Sequence, residues 1–209
     1  MTVIADATAV TIERRIFDAV LQKREPVIIV DSPPGAGKTY LTESIGALGA
    51  AHKGWRVALV TPKRDQAQDL ALRLRRRFPV VRVEFLHSKA TRIADEVIAA
   101  GIACHTRVCD LAPGPGVVVS TVDKLSSGLP DLASVGFDLV VIDEAYQTML
   151  AQAAGVISAV PQIVLVGDPG QLDPFVEVSL DRFEEGRDLV HRSLPEELLR
   201  KFPGIPASD

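Results

Sequence analysis

Six short apolar runs rich in β-branched residues punctuate the chain, at 27–30, 57–60, 80–86, 117–119, 139–142 and 163–166. Apart from 80–86, which carries Arg82 and Glu84, they are continuously apolar rather than alternating, as suits strands buried on both faces. Helical patterning fills most of the intervals, at 11–24, 38–52, 64–77, 89–99 and 145–157, with a short amphiphilic helix expected at 195–202. Strands alternating with helices predict an α/β fold, a parallel sheet with helices on both faces in three αβα layers. Ligands of such sheets gather outside the carboxyl ends of the strands. The residues that follow each apolar run are therefore where function is sought.

The first run leads directly into Ser32-Pro33-Pro34-Gly35-Ala36-Gly37-Lys38-Thr39. A strand running into a glycine-rich turn and then a helix is the setting of a phosphate-binding P-loop. Pro34, Gly35, Ala36 and Gly37 form a turn whose backbone N–H groups can face a polyphosphate, and the helix behind it adds its positive dipole end. Lys38 is placed to reach the outer phosphates, and the Thr39 hydroxyl to ligate Mg²⁺. The usual pattern opens with glycine. Here that position is Ser32, which fits only if its φ is negative.

The fifth run ends in Asp143-Glu144. An apolar strand closing on an acidic pair is a Walker B pattern. Asp143 would hold the metal opposite Thr39, and Glu144 would orient and deprotonate an attacking water. The sixth run ends in Gly167-Asp168-Pro169-Gly170-Gln171-Leu172-Asp173-Pro174. On the same rim, the neutral Gln171 amide can hydrogen-bond a γ-phosphate or the attacking water and so report on its presence.

These motifs occur in one order with Val60-Thr61-Pro62-Lys63, Val119-Ser120-Thr121 and Asp143-Glu144-Ala145-Tyr146-Gln147. As a set, over about residues 12–175, they resemble the first RecA-like motor domain of superfamily 1 helicases. The Asp-Glu-Ala-x-Gln form is similar to the 5′-to-3′ branch. The resemblance implies an ATP hydrolase with ATP and Mg²⁺ as ligands and catalytic roles for Lys38, Glu144 and Gln171. It also implies single-stranded DNA or RNA as partner, with backbone contacts from Thr61, Pro62, Lys63 and Thr121. Hydroxyls, N–H groups and a lysine at strand ends suit phosphate positioning without base readout; for Thr61 and Pro62, helix capping with proline at N1 is an equally complete local reading. The family's adenine-reading Gln upstream of the P-loop corresponds to Arg15.

The family carries a second motor domain with an arginine finger. The 35 residues after Pro174 are too few for one, so a single domain over residues 1–195 is expected, with 196–209 a tail or the start of a linker. Turnover alone should be weak, and a second motor domain or helicase subunit is an expected partner. Two other readings stay open: a self-contained ATPase of PhoH type, which Asp173 fits, and a non-catalytic nucleotide-dependent binding module.

No apolar run approaches the roughly 20 residues of a membrane helix. No signal-peptide core is present, and the two cysteines form no disulfide framework, so a cytoplasmic compartment without membrane contact is expected. Net charge is −4, but residues 62–92 carry nine Lys/Arg against three Asp/Glu. Within them Arg73, Arg76 and Arg77 share a helical face. A solvated helix face accounts for such a run as well as a phosphate-binding stripe does. His87, Cys104, His105 and Cys109 are zinc-capable in type but fit no common zinc spacing. Trp55 reads as a packing residue.

Overall fold

The computed structural model of the protein describes residues 9–22, 25–33, 35–170, 174 and 192–202. Within them, β1 (Val27–Asp31), β2 (Arg56–Thr61), β3 (Val83–Leu86), β4 (Ala103–His105), β5 (Gly116–Thr121), β6 (Leu139–Asp143) and β7 (Ile163–Gly167) form one sheet in the order β1-β7-β6-β2-β5-β3-β4. Every neighbouring pair is parallel.

Both faces of the sheet are covered. One cluster joins Val57, Leu59, Val117, Val119, Val141 and Val164 to Ile45 of α2 (Lys38–Lys53), Leu70 and Leu74 of α3 (Arg64–Arg77) and Val20 of α1 (Ala9–Leu21). The other joins Ala58, Val60, Val118, Val140, Ile142 and Leu165 to Leu125 of α5 (Val122–Ser127), Leu132 of α6 (Leu129–Val135), Val156 of α7 (Leu150–Ser158) and Leu194 of α8 (Leu194–Lys201). Successive residues of one strand thus enter opposite cores, which is why the runs of the inner strands β2, β5, β6 and β7 are continuously apolar. Trp55 is buried in the first cluster, and Gly54 ends α2 in the left-handed conformation. The packed body reaches Leu198, which lies in the second cluster, past the residue at which the sequence reading ends the domain.

Several expected elements differ, each for a local reason. The run at 80–86 becomes a strand only from Val83; Val80 is 92% exposed in the turn after α3. The helix expected at 89–99 shrinks to α4 (Asp95–Ala99), because Ser88 and Thr91 join through backbone and hydroxyls in a turn of their own. The helix expected at 145–157 splits into a 3₁₀ turn, Ala145–Gln147, and α7, with Thr148 extended between them. A short helix, α6, starts at Leu129, where Pro130 occupies the first turn that tolerates it.

Candidate nucleotide site and rim groove

The loop after β1 is built for close approach. Gly35 and Gly37 have φ of 79° and 83°, and a Cβ on either would meet nothing within 4 Å, so the space over the loop is open. Ser32 takes the position usually held by glycine without strain, since Glu144 is the only non-glycine described residue with positive φ. The Ser32 N–H donates to the Gly167 carbonyl at 2.8 Å, tying the loop's entrance to the end of β7. Lys38 begins α2, and its ammonium reaches back to the Ser32 carbonyl at 3.4 Å, which holds it over the turn. Thr39 lies beside it in the first helical turn, half-buried. Pro34 lies outside the described residues.

Asp143 ends β6, opposite Val166 of β7, while Asp31 at the end of β1 pairs with Gly167 of the same strand. One strand therefore separates the glycine-rich loop from the acidic pair, a gap of about 10 Å at ordinary strand spacing. Asp143 is 6% exposed. Burial, and then the Glu144 carboxylate, push its carboxyl up to about 6; the Glu144 N–H donated to it and the charges of Lys38 and Arg73 pull the other way. A buried carboxylate under that pressure, within the field of Lys38, suits a divalent cation. Glu144 sits at φ 54°, ψ 44°, and its Oε2 is buried without a hydrogen-bond partner among the described residues. Loop glycines, lysine, hydroxyl and acidic pair thus form a donor set that fits a polyphosphate with its metal. Gln171 lies outside the described residues.

A second feature occupies the other half of the same rim. Thr61 and Thr121 are register partners at the ends of β2 and β5. Between them and the loop after β3 runs a groove of about 220 Å³, lined by Pro62, Arg64, His87, Ser88, Thr121 and Lys124 among others. Thr61 itself is 2% exposed. Its hydroxyl donates to the Lys63 carbonyl at 2.9 Å, and Lys63, not Thr61, is the residue before α3, without a side-chain cap. The capping expected of Thr61 belongs instead to Thr121, whose hydroxyl accepts from the Lys124 N–H at 3.3 Å. Lys63 is exposed. Ser88 and Lys124 were not singled out from the sequence, and His87 was weighed there only as a zinc-capable residue. The rule that carboxyl strand ends hold ligands, applied to β3 and β5, would have found them.

Two arginines of the basic stripe are spent internally. Arg73 and Arg77 both pair with the buried Glu43 of α2, at 3.4 and 3.1 Å. Among the described residues no group of three His, Cys, Asp or Glu could hold a metal, so the cysteine–histidine set forms no site there. Nor is any described helix long and apolar enough to cross a membrane.

A family profile described as the AAA domain matches residues 13–179, most of the chain. The chain belongs to the AAA domain family. The AAA domain here also shares its fold with solved chains. One is a nuclease-deletion mutant of the Type ISP restriction-modification enzyme LlaGI, solved with a DNA substrate mimic, at 14% identity and TM-score 0.57 over 95% of this chain and 21% of that one. Another is the UvsW helicase from bacteriophage T4, at 14% identity and TM-score 0.50 over 72% of this chain and 50% of that one. The AAA domain described here thus spans between about a fifth and a half of those chains. No curated protein matches the chain. The three-layer parallel sheet read from the sequence is the P-loop NTPase fold.

Proposed function

We propose that this domain binds and hydrolyses Mg-ATP as the first motor domain of a superfamily 1 helicase and carries single-stranded DNA or RNA on its rim groove. The observation that carries the reading is the placement of the Lys38 loop and the Asp143–Glu144 pair at carboxyl strand ends separated by β7 alone. Backbone N–H groups of Gly35, Ala36 and Gly37 and the start of α2 hold the phosphates, and Lys38 neutralises the outer ones. Thr39 and Asp143 would hold Mg²⁺, which supplies charge neutralisation across the phosphates. Glu144 accepts a proton from the water that attacks the γ-phosphorus, ADP leaves, and Gln171 hydrogen-bonds the reacting group. An arginine from a second motor domain or subunit would raise the rate by roughly 10³–10⁵, so turnover by this domain alone is slow. Across the rim, Lys63 and Lys124 offer charge to a strand's phosphates, and Pro62 and Thr121 shape its path.

The test is a nucleotide titration with three proteins. Wild type and Glu144→Gln should bind ATP alike while only wild type turns over, and Lys38→Ala should lose binding. Equal ATP affinity in wild type and Lys38→Ala refutes the site. Turnover unchanged by added single-stranded DNA or RNA removes the nucleic-acid part alone.

A further inference from the structure

Two residues outside the assigned chemistry fasten the nucleotide site together. The Tyr146 hydroxyl donates to Asp31 Oδ1 at 2.7 Å, across 115 positions of sequence. Asp31 is the last residue of β1, immediately before the glycine-rich loop, and Tyr146 lies in the 3₁₀ turn that follows Glu144. Because β7 runs between β1 and β6, the phenol crosses the end of β7 to make this bond. It crosses over Gly167, where a Cβ would stand 2.8 Å from Tyr146 Cδ2 and 3.2 Å from the Ala145 nitrogen. The Ser32 N–H donated to the Gly167 carbonyl completes the fastening. Loop entrance, β7 end and acidic turn are thereby joined at one buried point, with Tyr146 only 7% exposed.

What this point holds is the backbone of Glu144. A left-handed conformation costs a non-glycine residue about 1–2 kcal/mol and persists only where its surroundings fix it. Inside the turn, the Gln147 and Thr148 N–H groups donate back to the carbonyls of Glu144 and Ala145 at 2.9 and 3.1 Å. Those bonds shape the turn but do not locate it against the loop across β7. The Tyr146–Asp31 bond does.

We infer that Tyr146 and Asp31 are positioning residues: their hydrogen bond sets the Glu144 carboxylate at its working distance from the phosphates held by the loop after β1. This rests on the hydrolase reading above. A misplacement of about 1 Å in a reacting constellation costs on the order of 10²-fold in rate.

The experiment is steady-state ATP turnover with an independent nucleotide-binding titration, below the melting temperature of each protein. Tyr146→Phe keeps the ring over Gly167 and removes only the hydroxyl. It should lower kcat about 10- to 100-fold while the ATP dissociation constant stays unchanged. Asp31→Asn keeps an acceptor oxygen and should restore kcat to near that of wild type, whereas Asp31→Ala should match Tyr146→Phe. Combining Tyr146→Phe with Asp31→Ala should cost no more than either alone, as for two halves of one interaction. Should Asp31→Ala fail to fold, the Phe and Asn variants carry the test. Wild-type kcat in Tyr146→Phe, with Glu144→Gln inactive beside it, overturns the positioning role and leaves the hydrolase reading standing. So does a fall in kcat matched by an equal loss of nucleotide affinity. A wild-type protein that binds ATP without turning it over overturns both.

Discussion

Replacing Asp143 by Asn should make the metal-free protein more stable at neutral pH while removing its hold on Mg²⁺. The carboxyl is pushed from 3.8 in a free chain up to about 6 in the folded protein, chiefly by burial and then by Glu144. The folded state therefore keeps its proton over a window, about pH 4 to 6, in which the unfolded chain has released it. With more protons on the folded side, unfolding free energy falls as pH rises through that window and levels off above it. Two pKa units at 1.36 kcal/mol each place the cost of the ionised group at about 3 kcal/mol at pH 7. Asn carries no such charge, and its side-chain oxygen can still accept the Glu144 N–H that Asp143 Oδ1 accepts at 3.1 Å. The expected gain is thus about 3 kcal/mol at pH 7, or roughly 6–12 °C in melting temperature for a domain of this size, and little at pH 4. Glu144→Gln removes the second contribution and should shift the wild-type window downward. The assay is urea unfolding followed by circular dichroism in EDTA from pH 4 to 8. Saturating Mg-ATP should narrow the gap by stabilising wild type alone, by about 2.7 kcal/mol at a hundredfold excess over Kd. Wild-type stability that stays flat or rises between pH 4 and 6, or an Asp143→Asn variant no more stable at pH 7, would refute the reasoning.

Two further substitutions probe the same turn. Glu144→Gly relieves the left-handed residue, and after glycine's own entropic cost a gain of about 0.5–1 kcal/mol in urea unfolding is expected together with complete loss of turnover; a loss of stability would show that the side chain, not the backbone, holds the turn. Gly167→Ala places a methyl against the Tyr146 ring and the Ala145 nitrogen, and should destabilise by about 1–3 kcal/mol in the same assay; an unchanged unfolding midpoint would mean the turn can shift aside.

What the sequence disclosed depended on how local the cause was. The strands at 57–60 and 139–142 announce themselves because both faces are buried, and each residue carries its own signal. The Lys38 loop and the Asp143–Glu144 end are equally local, a few residues of turn chemistry at the end of a strand. Strand β4 escaped notice because three residues, Ala103 to His105, are too few for periodicity and include a cysteine and a histidine. The helix at 145–157 was overextended because its apolar pattern continues through Thr148, while the backbone there pairs outward: the Leu194 N–H donates to the Thr148 carbonyl, and Met149 bridges to Ser193. Thr61 shows the same limit, since a hydroxyl near a helix start can donate to a carbonyl as readily as cap an N–H. The Tyr146–Asp31 bond was illegible for a stronger reason. It exists only because β7, late in the chain, inserts between β1 and β6, and strand order is not written in any one segment.

That strand order also explains how the turn bears its costs. An ionised Asp143 and a left-handed Glu144 together oppose folding by several kcal/mol. They follow β6, which has both neighbours in the sheet and side chains fully enclosed: Val140, Val141 and Ile142 are each 0% exposed, as are Val164, Leu165 and Val166 beside them. Burying six such side chains contributes on the order of 10 kcal/mol, enough to fix a strained turn at the strand's end. At the sheet's edge the half-exposed, three-residue β4 has no comparable reserve. An acidic pair that must stay buried and close to a second loop therefore belongs at the end of an inner strand, and the Tyr146–Asp31 bond is possible there because the strand bearing the glycine-rich loop lies only one place farther across the sheet.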